Sequence, residues 1–142
     1  MKKQVLSFLG VITLLVVGCG GGGSSVTYDD PAIIENQIFY RVKAVDQTRY
    51  LKERFTSNSE GELQEATYII NDDEFPESNR TIPYEIQSSL VYIYYDDPTI
   101  RCSVIDRSVS VQFYCLEEGQ SGTFSLYTTR WKTLEDATSN PE

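Results

Sequence analysis

The chain of 142 residues carries 12 basic and 21 acidic residues, three cysteines and no histidine, for a formal charge of −9 at pH 7. That length allows one domain at most. The missing histidine excludes Ser-His-Asp and Cys-His nucleophile systems and His-ligated zinc, and the acidic balance without a basic run opposes nucleic-acid binding, which needs clustered Lys and Arg to release counterions.

The first predicted element is an export address. Lys2 and Lys3 precede Val5 to Val17, thirteen residues whose only hydroxyls are Ser7 and Thr13. A basic start before a short apolar run predicts a secretory signal peptide. Thirteen helical residues are too few for a membrane span, which takes about 20. The run ends in Val16-Val17-Gly18-Cys19, which resembles the lipobox of bacterial lipoproteins. The resemblance implies that residues 1–18 are a lipoprotein signal peptide cut before Cys19, that Cys19 is acylated, and that its lipid chains anchor the protein in the bacterial cell envelope. Gly at position 20, in place of the Asp that retains lipoproteins at the inner membrane in enterobacterial-type sorting, leans toward the outer membrane facing the periplasm. Gly20 to Ser25 then reads as the flexible start of a tether over residues 19–35, since glycine loses the most entropy on ordering. Losing Lys2 and Lys3 leaves ten basic against 21 acidic residues, a charge that anionic headgroups repel.

Residues 36–138 read as a β domain and 139–142 as a frayed tail. Gln37 to Asp46 and Arg49 to Thr56 show period-two patterning, and Thr56 to Gly61 is a turn signal before Glu62 to Ile70, where Ala66, Tyr68 and Ile70 alternate with more polar residues. Asn71 to Arg80 is the longest irregular stretch. In Thr81 to Gln87, Ile82, Tyr84 and Ile86 share a face, and Pro83 places the strand at a sheet edge or starts it at Tyr84. Ser89 to Tyr95 is nearly all apolar or aromatic, as in a strand covered on both sides or facing a partly filled interior, and Asp96-Asp97-Pro98 turns the chain into Thr99 to Ile105, Val109 to Leu116 and Gly122 to Trp131. Thr133 to Asp136 is a capping-box start to one helical turn. About eight short strands without a helical crossover predict an all-β, antiparallel up-and-down meander, closed or partly open as a small barrel. Strand order, the Phe55 to Gly61 turn, Thr81 to Ile86 and Thr128-Thr129-Arg130-Trp131 loosely resemble the small lipocalin-like domains of envelope lipoproteins, although the Gly-x-Trp of true lipocalins is absent and Phe39-Tyr40 stands in the first strand. That likeness implies binding of small apolar molecules.

Cys102 and Cys115 in an exported chain predict a disulfide. A turn around Ser108-Val109 sets Cys102 opposite Cys115, Val104 opposite Phe113 and Asp106 opposite Val111. A three-residue loop without a bulge would put the thiols on opposite faces.

Little points to catalysis. Asp72-Asp73-Glu74 and Asp96-Asp97 lack a calcium-loop pattern, only Lys43, Lys52 and Lys132 could serve a Ser–Lys pair, and no Gly-x-Ser-x-Gly elbow exists. No catalytic, metal or cofactor site is expected. Ten tyrosines suit a ligand cavity, with Tyr68, Tyr84, Tyr92 and Tyr94 as candidate lining, or they simply fill a β core. Two functions follow: a non-catalytic binding module for a small apolar ligand, or an envelope protein-interaction, assembly or inhibitor module acting through a surface patch or the Asn71 to Arg80 loop.

Overall fold

The computed structural model describes residues 26–142, so the expected signal peptide over residues 1–18, Cys19 and the glycines of the expected tether lie outside the described residues. Eight antiparallel strands follow one another round a closed barrel: β1 (Ile38–Lys43), β2 (Asp46–Phe55), β3 (Glu62–Ile69), β4 (Ser78–Gln87), β5 (Leu90–Tyr94), β6 (Thr99–Asp106), β7 (Ser110–Glu117) and β8 (Ser125–Trp131). Sequential hairpins and short turns account for the order, and closure leaves no open sheet edge. A short helix, α1 (Leu134–Ser139), follows, capped as expected by the Thr133 hydroxyl accepting from the Asp136 amide at 3.1 Å.

Alternation along each strand divides the residues between lumen and exterior. Phe39, Phe55, Leu63, Ile82, Tyr84, Val91, Ile93, Val104, Val111 and Phe113 are buried together and fill one end of the lumen. A 3-10 turn at Pro31–Ile34 plugs that end, with Ile34 fully buried in the same cluster. The folded unit therefore begins before residue 36: Asp29 pairs with Val104 beyond the reach of β5 and accepts from the Asp106 amide, which covers the remaining free stretch of β6. Outside the barrel, α1 sets Ala137 against Val42 and Tyr50, with Tyr40, Tyr68 and Trp131 around them.

Two expectations change. Pro83 sits inside β4, not at an edge, because it marks a hand-over: pairing with β3 ends at Glu62–Pro83 and pairing with β5 begins at Tyr84–Ile93. The C-terminal residues are not frayed, since the Glu142 amide donates to Val42 and its carbonyl accepts from Ala44. In addition, β5 is covered on one side only, with Val91 and Ile93 inward and Tyr92 and Tyr94 outward. Gly61 is needed where it stands: its φ is +69° and a Cβ would lie 2.9 Å from the Tyr84 carbonyl.

The β6–β7 hairpin has the expected register. Cys102 faces Cys115, Val104 faces Phe113 and Asp106 faces Val111, and the Cys102–Cys115 disulfide lies in the buried core. Closing a loop of this size stabilises by about 3 kcal/mol in the chain-entropy model. Replacing both cysteines with alanine should therefore lower the urea-unfolding free energy by about 2–4 kcal/mol while leaving the far-ultraviolet circular dichroism that of a β protein.

Candidate functional site

Several strands carry a charged residue two positions from a core residue, in the same phase: Arg41 after Phe39, Glu53 before Phe55, Glu65 after Leu63, Arg80 before Ile82. Period two sends both members of each pair into the lumen. The apolar members fill the end plugged by Pro31–Ile34, and the charged members form a belt above them. Register makes the belt continuous: Glu53 on β2 lies opposite Glu65 on β3, which lies opposite Arg80 on β4.

Its centre is Glu53, fully buried with fully buried Arg130 of β8. Arg130 donates from Nε and Nη2 to the two carboxylate oxygens at 3.0 Å each, and Arg41 donates from Nε at 3.0 Å and from Nη2 at 3.4 Å. Four donors thus occupy the acceptor sites of one carboxylate. Burial pushes the Glu53 pKa up, but the charges and hydrogen bonds of Arg130 and Arg41 outweigh it and hold the group below the ordinary glutamate range. The Arg130 guanidinium also lies 4.0 Å from the Phe113 ring centre and 5.4 Å from that of Phe55, cation–π contacts that join the belt to the apolar end. Glu65 differs. Burial first, and then the neighbouring Glu53 charge, raise its pKa against the partial compensation of Arg80. Tyr95 reaches the same region, its pKa raised by burial, with Arg130, Glu65, Glu53 and Arg41 as its charged surroundings.

Above the belt the lumen opens. One cleft of about 780 Å³ is lined by Arg41, Lys43, Arg49, Glu65, Arg80 and Glu142 among others, and a second of about 550 Å³ by Arg41, Arg80, Ile82, Pro83, Tyr94 and Tyr95 among others. Arg41 and Arg80 belong to both, so the two clefts adjoin at the barrel mouth. Arg49 is occupied at its edge, bonded twice to Glu77 and once to Asp46.

The four candidate tyrosines do not converge there. Tyr84 lies in the filled end, its hydroxyl donating to the Thr56 carbonyl at 2.5 Å, and burial, followed by Glu35 and Glu60, pushes its pKa up to about 12. Tyr68 stacks on Tyr50 outside the barrel, and Tyr92 also points outward. Only Tyr94 lines a cleft, as an exposed rim residue bonded through its hydroxyl to Glu85. The mouth residues that sequence reasoning missed are the charged ones, Arg41, Glu65 and Arg80 with Glu53 and Arg130 beneath them. Their signal was the shared phase with Phe39, Leu63, Ile82 and Phe55. Among the described residues no three acidic or cysteine side chains are grouped closely enough to hold a metal ion.

Compared with protein-family models, with curated proteins and with solved structures, the chain matches none. The mouth is therefore read from its own chemistry.

The belt makes opposed predictions for its two glutamates. Glu53→Gln leaves the Arg130 charge buried without its counter-ion and should cost about 3–5 kcal/mol, measured by urea denaturation at pH 7. The native contribution of Glu53 is full above the ordinary value of 4.5 and is lost as pH falls through its lowered folded value. Glu65 carries a penalty at neutral pH that vanishes as pH falls through its raised value, so Glu65→Gln should be at least as stable as the parent at pH 7 and no better below pH 4.5.

Proposed function

We propose that this protein is a lipid-anchored, non-catalytic envelope lipoprotein whose barrel mouth holds a small amphipathic ligand. The observation that carries the reading is the asymmetry of the lumen: one end is filled by its own side chains, and the other opens in two clefts that meet at Arg41 and Arg80. A filled apolar end leaves no room for a purely apolar guest. The mouth instead offers guanidinium groups beside Tyr94, Tyr95, Ile82 and Pro83, which suits a molecule with a polar head and a modest apolar body.

The proposed anchor fits this orientation. Residues 1–19 resemble a lipoprotein signal and lipobox, and the described chain enters beside the filled end, where Asp29 pairs with Val104 and Pro31–Ile34 forms the plug. The ten residues from Cys19 to Tyr28 reach at most roughly 35 Å. A chain tethered there has its filled end, rather than its mouth, nearest the anchor.

Two measurements test this. The mature chain from envelope membranes should start at Cys19 with acyl groups in its mass, and Cys19→Ser should leave the membrane fraction. A mature chain that starts elsewhere or lacks lipid removes the anchor. Native mass spectrometry of the mature protein in detergent should show a bound small molecule that Arg80→Gln diminishes, and a bare protein mass in fresh extracts removes the ligand.

Phe75, 75% exposed in the β3–β4 loop, supports the second reading, a protein-interaction module. In that case Phe75→Ser should abolish capture of a crosslinked envelope partner without altering the bound mass.

A further inference from the structure

The larger cleft contains two groups that the protein's own contacts leave unfinished. Glu65 Oε2 accepts from Arg80 Nε at 2.6 Å, whereas Glu65 Oε1, on a side chain 2% exposed, has no hydrogen-bond partner. An orphaned buried carboxylate oxygen is costly unless something donates to it. Arg80 commits only Nε to this bond. Its side chain is 62% exposed, and among the described residues its two terminal nitrogens make no hydrogen bond. The other arginines of the cleft are spent, Arg41 on Glu53 and Arg49 on Glu77 and Asp46. The Nε–Oε2 bond therefore holds a free pair of donors and a buried, unpartnered acceptor side by side, on two residues that line the same cleft.

That pairing selects by charge. A plain anion would have to approach a chain of net charge −9 past Asp46, Asp96, Asp97 and Glu117, which line the same mouth. A plain cation would have to sit beside the uncompensated fork of Arg80. A molecule bearing a negative group next to a positive one has no net charge to repel and completes both halves, since a carboxylate matches a guanidinium fork and an ammonium supplies the missing donor. The Arg80 guanidinium lies 5.6 Å from the Tyr95 ring, and the second cleft begins there, its lining including Ile82, Pro83 and Tyr94.

We propose that the mouth binds a free α-amino acid with an apolar side chain: its carboxylate on the terminal nitrogens of Arg80, its ammonium on Glu65 Oε1, its side chain against Tyr95. This rests on the mouth being a ligand site and adds the class of ligand. The cross-strand placement of Glu65 opposite Glu53 fits the arrangement, because Glu53 takes both Arg130 and Arg41 and leaves Glu65 with Arg80 Nε alone, so that the bound ammonium supplies the missing donor.

The test is calorimetric titration of the mature protein in detergent with L-phenylalanine and L-leucine, beside 3-phenylpropionate, which lacks the ammonium, and phenethylamine, which lacks the carboxylate. Saturable binding of the amino acids is expected, with each one-headed analogue weaker by about tenfold or more, the loss of one charge-assisted hydrogen bond. Arg80→Gln should lose phenylalanine and phenylpropionate alike. Glu65→Gln should retain the fold and bring the two ligands to equal affinity. Equal affinities in the parent protein, or no saturable binding of either amino acid to protein with an unchanged melting curve, overturn the proposal. In the latter case a bound molecule of another class, seen by native mass spectrometry, keeps the mouth as a ligand site. No bound molecule of any class removes both readings and leaves Glu65 Oε1 as a water site only.

Discussion

The barrel closes on one carboxylate. Backbone pairing joins β1 and β8 at a single position, Tyr40 with Trp131, whereas every other neighbouring pair of strands shares four or more. Side chains do what the ladder does not. Glu53 on β2 draws Arg41 of β1 and Arg130 of β8 onto the same two oxygens. Glu142 adds a second tie from the exterior side of the chain order, its backbone bonded to Val42 and Ala44 of the β1 region and its carboxylate to Thr128 and the Thr129 amide of β8. Helix α1 packs across both strands. A buried ion pair is not in itself a strong source of stability, because desolvation cancels much of the attraction. Its worth here is geometric: it specifies which strands meet.

The same group divides the lumen. Arg130 presents a π-facing surface to Phe113 and Phe55 and a hydrogen-bonding edge to Glu53, so the apolar and polar halves of the interior meet across one guanidinium. Beneath it lie the buried aromatic and aliphatic side chains of the apolar cluster. Above it, like-charged Glu53 and Glu65 face each other across adjacent strands, and the second of them lacks a full set of donors.

Much of this architecture was legible in the chain. The strand runs, the hairpin register through Cys102 and Cys115 and the Thr133 cap follow from period-two alternation, parity and capping chemistry, all of which are local. Closure was only one of two outcomes, since it depends on Glu53, Arg41 and Arg130, residues 12 and 77 positions apart in pair, which no local pattern joins. Pro83 misled because proline is normally kept to edges, and here it falls where β4 exchanges one neighbour for the other. The tyrosines misled for a different reason: aromatic residues favour strands on either face, and Tyr68 and Tyr92 serve the exterior. The site's real signature, a charge in the phase of the core, reads as ordinary polar alternation until the apolar phase is known.

The ring of strands is thus joined by two unlike fasteners. A covalent bridge between β6 and β7 adds to a ladder of seven residue pairs, while β1 and β8 are clasped by ions and a returning chain end. Local opening follows the least expensive interface. The barrel is therefore a bracelet with a welded link and a clasp, and Arg41 is both part of the clasp and part of the wall of the mouth.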